Sequence, residues 1–476
     1  MDLSHTDTAW DAIESYIRWA VAEFDHASSS NLTGILPNNR WLQGDDGHLH
    51  RVETYRPFIR SFETVEQADP DRYQTLLSIL RADSRFQAWD GGMVGTELGL
   101  SRFVVEDIIR TCVGSQLDDS GHFLLDVRAA QRAFQKIASW ITEDSQDVRI
   151  LVPLPGLKID AESESVEVAP GISICRFTNA EFEHLANSGV VATMFADMPL
   201  IDGSNAFGCR LTMRISTVRS QAGSQHDNLA MLAAVDTDQF GLRTWRTWAT
   251  LVQDVLVVLR LVSGQPVAAP GAMLFVEGFQ GRFSQILGYN RRPFAGAEFV
   301  VDETLGAKMA TLWGQLTPLA TQRSHMPDIV LRRFNAAVER ADSDDTIVDL
   351  MIVAEALFLA DQGERTEMGY RLRQRAALLL QTCGHDWRTV QDTFKAAYKI
   401  RSKIVHGSRP PSSVTVSGSS IAAPEFLSEL TKLVRECILI SAEMYRTDND
   451  FASATYWDNL VFGNSPTTTL PAGPGE

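Results

Sequence analysis

The chain has 476 residues, a formal charge of −17, 44% hydrophobic residues and 22% charged ones. That length exceeds one ordinary core, because domains run roughly 100–200 residues, and the apolar fraction excludes a chain that is disordered throughout. The acidic balance excludes sequence-independent wrapping of nucleic acid, which needs clustered Lys and Arg, so any contact with a polyanion has to be local.

Met1 to Asp11 is polar and acidic where a secretory signal would be basic and then apolar, so a cytoplasmic location is expected. From Asp7 to His26 the residues Trp10, Ile13, Tyr16, Ile17, Ala20, Val21 and Phe24 recur at helical spacing, which predicts an amphipathic helix with one buried face. Arg72 to Leu80 and Leu125 to Ile141 repeat that period, so residues 1–147 are expected to form a mainly helical region. The segment Asp45-Asp-Gly-His-Leu-His50 pairs two imidazoles at strand spacing with nearby carboxylates. With no third His close by, a polar loop is the better reading, and no metal site is expected.

After Glu143-Asp-Ser-Gln-Asp147 the period shortens: Val148 to Val152, Ser165 to Val168, Ile172 to Phe177 and Cys209 to Ile215 read as strands bounded by Pro and Gly. Thr244 to Val262 reads as a long helix. Its apolar part, Trp248 to Val262, is interrupted by Gln253, Asp254 and Arg260 and falls short of the roughly 20 apolar residues of a membrane span, so no membrane partner is expected. Residues 148–326 are thus predicted to be an α+β middle domain. The pattern does not give its role; a sensing or regulatory part, with a ligand or protein as trigger at the N-terminal regions, belongs only to the functional reading of the C-terminal segments below.

Five helical segments follow with short links: Asp328 to Arg340, Thr346 to Ala360, Met368 to Thr382, Trp387 to His406 and Pro424 to Tyr445. Such an order predicts an antiparallel bundle over 327–462, and the Pro- and Gly-rich residues 463–476 read as a disordered tail. The expected fold class is therefore α+β multidomain, mainly helical, with a β-containing middle region before a C-terminal helical bundle. Cys112, Cys175, Cys209, Cys383 and Cys437 are widely spaced and odd in number, which favours reduced, buried thiols over disulfides or zinc. Neither Walker-type nor Rossmann glycine clusters nor a Gly-x-Ser-x-Gly elbow occurs, so neither ATP-driven nor esterase chemistry is expected, and no cofactor is expected.

Tyr398-Lys-Ile-Arg-Ser-Lys-Ile-Val-His-Gly407 ends the fourth segment, with Gly407 and Pro410-Pro411 as the stop signal. His406 stands in the last turn, at the negative end of the helix dipole. Arg401 and His406 are about 140° apart around the helix, so either the long Arg side chain sweeps round or a second copy supplies the partner. Metal-free cleavage of RNA needs a proton acceptor, a proton donor and positive charge on the phosphate; His406 and Arg401, taken from two subunits, meet that need. Between Arg365 and Arg409 ten basic residues stand against three acidic ones, a local balance of +7, with Lys399, Lys403 and Arg375 as candidate attractors of RNA. An ordinary solvated helix face would also carry such charges. Glu355 lies inside an apolar helix face and is expected to pair with an Arg, Arg375 being the first candidate, in structural support of the cleft. Ser408 to Ser420 reads as a mobile loop that covers substrate or merely connects helices.

The run Asp349-Leu-Met-Ile-Val-Ala-Glu-Ala-Leu-Phe358, then Tyr370-Arg-Leu-Arg-Gln-Arg-Ala-Ala-Leu-Leu-Leu380, then Tyr398 to Gly407 resembles the Apea-like HEPN family in order and spacing, over about 120 residues from Asp328 to Tyr445. Val168 to Thr178 and Leu256 to Val262 resemble, less specifically, what precedes that domain. The resemblance implies a helical bundle that forms a homodimer, two Arg-x4–6-His motifs facing a shared cleft, and metal-independent RNA cleavage in toxin or anti-phage roles. The motif's Arg maps to Arg401 and its His to His406. The position after the Arg, commonly Asn, Asp or His, is Ser402 here, a candidate substrate contact. Where silenced HEPN toxins carry a Tyr two residues beyond the His, this chain has Ser408. Two readings compete with the nuclease: a non-catalytic dimerisation or RNA-binding module coupled to a ligand- or protein-binding front domain, and a metal nuclease that uses the front domain.

Overall fold

The computed structural model of the chain describes residues 7–28, 35–43, 49–57, 59–87, 105–118, 121–142, 145–154, 156–160, 164–187, 207–216, 245–267, 269, 271–275, 284–285, 299–316, 328–340, 342–360, 367–448 and 450–461. Helices account for most of these residues, with a small sheet region in the middle of the chain. Two compact units result: Met1–Pro153, Cys175–Ala249 and Pro270–Leu287 in one, and Leu154–Ile174, Thr250–Ala269 and Gly288–Glu476 in the other. Residues 148–326 are thereby divided between the two, and 327–462 fall in the second. No helix among the described residues is long and apolar enough to cross a membrane.

In the first unit α1 (Thr8–Ser28) follows the expected period, burying Ala9, Trp10, Ile13, Tyr16, Ile17, Ala20, Val21 and Phe24. Asp7 caps it, its Oδ1 accepting the Trp10 N–H at 3.2 Å. The sequence reading missed a hairpin after this helix, β1 (Ile35–Gln43) and β2 (Leu49–Pro57), antiparallel with Arg40 opposite Val52. Its signal is the β-branched Val52 and Thr54 in a polar run whose alternation is too weak to stand out. Helices α2 (Ile59–Ala68), α3 (Pro70–Ala82), α4 (Ser84–Gln87), α5 (Val105–Gly114) and α6 (Val127–Thr142) close one apolar core around α1, including the stacked rings of Phe24 and Phe123, 4.1 Å apart. Asp69 and Pro70 start α3 as an N-cap and a first-turn proline should.

Strand β3 (Ser145–Pro153) ends this helical run, with Ile150, Leu151 and Val152 wholly buried. The chain then passes through β4 (Leu157–Asp160), β5 (Ser165–Ala169) and β6 (Ile172–Arg176), the last two joined at Pro170-Gly171, before α7 (Asn179–Asn187), β7 (Phe207–Ser216) and α8 (Trp245–Ser263). Within the first unit β3 lies between β7 and β8 (Ala272–Phe275), antiparallel to both, with Ile150 opposite Leu211 and Leu274, and β9 (Ser284–Gln285) pairs with β8. The four strands read from the sequence in this region are all present.

In the second unit β4 pairs in parallel with β10 (Phe299–Asp302), and α9 (Glu303–Leu316) lies on β5 where Gly306 meets Val166. The expected helices follow as α10 (Asp328–Glu339), α11 (Ser343–Phe358), α12 (Met368–Gln381) and α13 (Trp387–Val405). After the hairpin β11 (Ser413–Val416) and β12 (Ser419–Ala422) come α14 (Ala423–Thr447) and α15 (Ala454–Val461), of which α15 was not anticipated. Helix α11 touches α10, α12, α13 and α14 and is buried along most of its length. Two buried polar clusters fix its surroundings. Asp349, 2% exposed, accepts Arg333 Nη1 at 2.9 Å and Arg340 Nε at 3.1 Å. Arg260 of α8, 1% exposed, donates to the Val267 carbonyl at 2.7 Å, to Asn335, and to Glu339 at 2.9 Å. These partners are what a buried guanidinium requires. The residues expected to be a C-terminal tail lie outside the described set.

Candidate functional site

Helix α13 carries most of the candidate residues, and its two faces follow from its sequence. Val390, Thr393, Phe394, Ala397 and Ile400 recur at three and four residues and are buried. Asp386 caps the helix by accepting the Thr389 N–H at 2.9 Å. Arg401 stands four residues after Ala397, on the edge of the buried face. Lys395, Lys399 and Lys403 occupy the opposite side and are exposed, as is His406, three residues beyond Lys403.

Arg401 is half-buried and its Nη2 lies 3.4 Å from Glu355 Oε2 on α11. Its Nε is buried and has no hydrogen-bond partner among the described residues. The Glu355 carboxyl is held above the usual carboxylate range by burial, with the Arg401 charge pulling it back. Glu355 therefore receives an Arg, as expected, but from α13, whereas Arg375 had been the first candidate. The reason is register: Arg375 points inward, 6% exposed, with its Nη1 donating to the Phe358 carbonyl at 2.6 Å and its Cζ 5.3 Å from the centre of the Trp457 ring. So placed, Arg375 has a structural position in the core and does not present its charge to a substrate.

His406 is the C-cap of α13. Its N–H donates to Ser402 O at 3.2 Å, Gly407 N–H to Ile404 O at 2.8 Å, and Ser408 N–H to Lys403 O at 2.9 Å. The last two bonds with φ +84° at Gly407 form a Schellman end, which glycine adopts without strain. Ser402 is half-buried, and its carbonyl is engaged by the cap. The segment read as a mobile loop is instead largely the β11–β12 hairpin, with Val414 opposite Ile421 and a Ser417-Gly418 turn in which both φ angles are positive. Buried Val414 and Val416, and Ser417 Oγ donating to Asp392 Oδ2 at 3.0 Å, fasten it to the helix. The alternation Ser-Val-Thr-Val before Ser-Gly was its signal, hidden by a composition that reads as loop.

Within one chain Arg401 faces Glu355 while His406 faces outward, and the structure places them in separate surroundings. Arg388, counted in the basic patch but not singled out by sequence, is exposed on the same side as the lysines, and Trp387, 42% exposed at the start of α13, was not assigned a role by sequence. In the first unit Glu181, wholly buried, accepts Arg149 at 3.1 Å and Arg210 at 2.5 Å and shares a reciprocal capping box with Thr178. Burial would raise its carboxyl, but Arg210, the Thr178 N–H and Arg149 hold it below the usual range. All of its partners are internal, which marks a structural cluster. His48 lies outside the described residues, as does the side chain of His50. Among the described residues no group of three or more His, Cys, Asp or Glu is placed to hold a metal. No family model, curated protein or solved structure matches the chain.

Proposed function

We propose that residues 327–462 form a HEPN-like helical bundle that cleaves RNA without a metal, as a homodimer in which His406 and Arg401 from two copies line one cleft. The observation that carries the reading is the exposure of His406 at the end of α13, beside Lys399 and Lys403 on the same face. A basic surface collects the phosphate backbone and an imidazole stands where the chain would lie. The angular separation of Arg401 from His406 is the reason for a second copy.

The chemistry is a transesterification. One His406 accepts the proton of the 2′-hydroxyl as its oxygen attacks phosphorus, the bond from phosphorus to the 5′-oxygen breaks, and the other His406 donates a proton to that oxygen. The products are a 2′,3′-cyclic phosphate and a 5′-hydroxyl. Arg401 stabilises the crowded phosphate with two donors, one of which is now directed at Glu355. Ser402 is a candidate polar contact within that cleft. The N-terminal regions would regulate the nuclease, and a role in phage defence or as a toxin follows from the resemblance alone.

One observation favours the non-catalytic module instead: the Arg401 charge is already matched by Glu355 inside the chain. Purified protein and labelled RNA in excess EDTA separate the two. Loss of cleavage in Arg401→Ala and His406→Ala supports the nuclease, binding with no cleavage by the wild type supports the module, and cleavage abolished by EDTA but kept in His406→Ala would indicate a metal nuclease.

A further inference from the structure

Arg388, Lys395, Lys399, Lys403 and His406 are all exposed, and at about 100° per residue they fall within an arc of about 80° on α13. From the first to the last is about 27 Å at 1.5 Å per residue. At the far end Trp387, about 80° outside this arc, presents 42% of its surface and is joined to the row by the Arg388 guanidinium, 5.4 Å from the centre of its ring. The acid on this face of the helix, Asp392, is half-buried and accepts the Ser417 hydroxyl. Asp386, beside Trp387, is committed to the Thr389 N–H and hydroxyl.

We propose that this face is a track for single-stranded RNA, running from His406 to Trp387, with a base stacked on the indole at its far end. The inference rests on the reading of His406 as the cleavage group and extends it to residues remote from the chemistry. Charge complementarity supplies the occupant: a straight row of exposed cations on a chain of charge −17 selects a linear polyanion. The aromatic end distinguishes nucleic acid from an acidic peptide, because an exposed ring backed by a guanidinium stacks an unpaired base. A duplex keeps its bases stacked inside, so the single strand is the form that uses Trp387.

The test is fluorescence anisotropy on the full chain in EDTA, with labelled single-stranded 2′-O-methyl RNAs of 4 and 12 nucleotides, which cannot be cut through the 2′-hydroxyl, a labelled poly-glutamate peptide, and unmodified RNA in parallel to read cleavage. The wild type is expected to bind the longer RNA at least about tenfold more tightly than the shorter. Trp387→Ala should reduce that advantage about fivefold or more, and Trp387→Phe should keep most of it. The double variant Arg388→Ala/Lys395→Ala should lower the slope of log affinity against log salt by about 1.4, that is, about 0.7 per lost phosphate contact on a single strand. An unchanged length advantage in these variants overturns the track, as does peptide binding as tight as RNA binding, which would identify an acidic protein partner. Matching thermal melts of variants and wild type confirm that the fold is intact. Length-dependent binding without cleavage would overturn the catalytic reading and leave the track standing; cleavage with no length dependence would do the reverse.

Discussion

Arg401 Nη2 and Glu355 Oε2 meet at 3.4 Å between two helices, while the Arg401 Nε–H is buried with no hydrogen-bond partner among the described residues. The guanidinium is thus anchored at one corner and unsatisfied at another, where its buried N–H carries an uncompensated desolvation cost.

The same pair gives a pH dependence. Burial raises the folded-state value of Glu355 above the ordinary 4.5, so its contribution to stability is fully present below that value and is lost as pH rises through the folded one. Glu355→Gln cannot ionise and should remove this loss. Urea unfolding at pH 4, 5.5 and 7 should show the variant gaining on the wild type as pH rises. A difference independent of pH would contradict the assignment.

Gly407→Ala should cost about 1–2 kcal/mol, because φ +84° is unfavourable for any residue with a Cβ. Nothing lies within 4 Å of the added carbon, so the cost is backbone strain and no clash contributes. Thermal melting would report it. RNA cleavage should fall as well, since the cap that fixes His406 is disturbed.

In the second unit Gly306→Ala brings a Cβ to 1.9 Å from Val166 Cγ1, which requires the Val166 side chain or the backbone that carries it to shift. Overpacking of this kind costs about 1–3 kcal/mol. Val166→Ala in the same chain should restore much of the loss, and denaturant unfolding of the single and double variants would measure the coupling. Purely additive losses would show that the two positions do not press on each other.

Arg85 in the first unit binds Asp7 at 2.7 Å and Asp83 at 2.6 Å, and its hydrogen bonds hold both carboxyls below the usual range. For lowered values the stability is present above the ordinary 3.8 and disappears as pH falls through the folded values. Arg85→Ala should destabilise by about 1–2 kcal/mol at pH 7, the pairs being partly exposed, and by less at pH 2, where the packing of Arg85 on Phe86 and Phe134 is what remains to be lost. Melting curves at the two pH values check it.

Legibility in the sequence followed the strength of periodicity. The helix period of α1 and α10 to α14 is carried by large apolar side chains at three- and four-residue spacing, so their positions came through to within a few residues. Strands β1, β2, β11 and β12 consist of mixed polar residues whose pairing is fixed by turns and partners, which composition does not display. At the site, helical phase alone separated His406 from Arg401. The partner of Glu355 depended on which guanidinium the packing turned toward it, and Arg375 was taken instead by the Phe358 carbonyl and the Trp457 ring.

The most direct measurement is end-group analysis of a labelled RNA after incubation with the full chain in excess EDTA, beside a substrate with a 2′-deoxy sugar at the cut position. The account predicts 2′,3′-cyclic phosphate and 5′-hydroxyl ends from the wild type, no cut at the deoxy position, and none from His406→Ala. Intact RNA with the wild type, or ends bearing a 3′-hydroxyl and a 5′-phosphate, would contradict it.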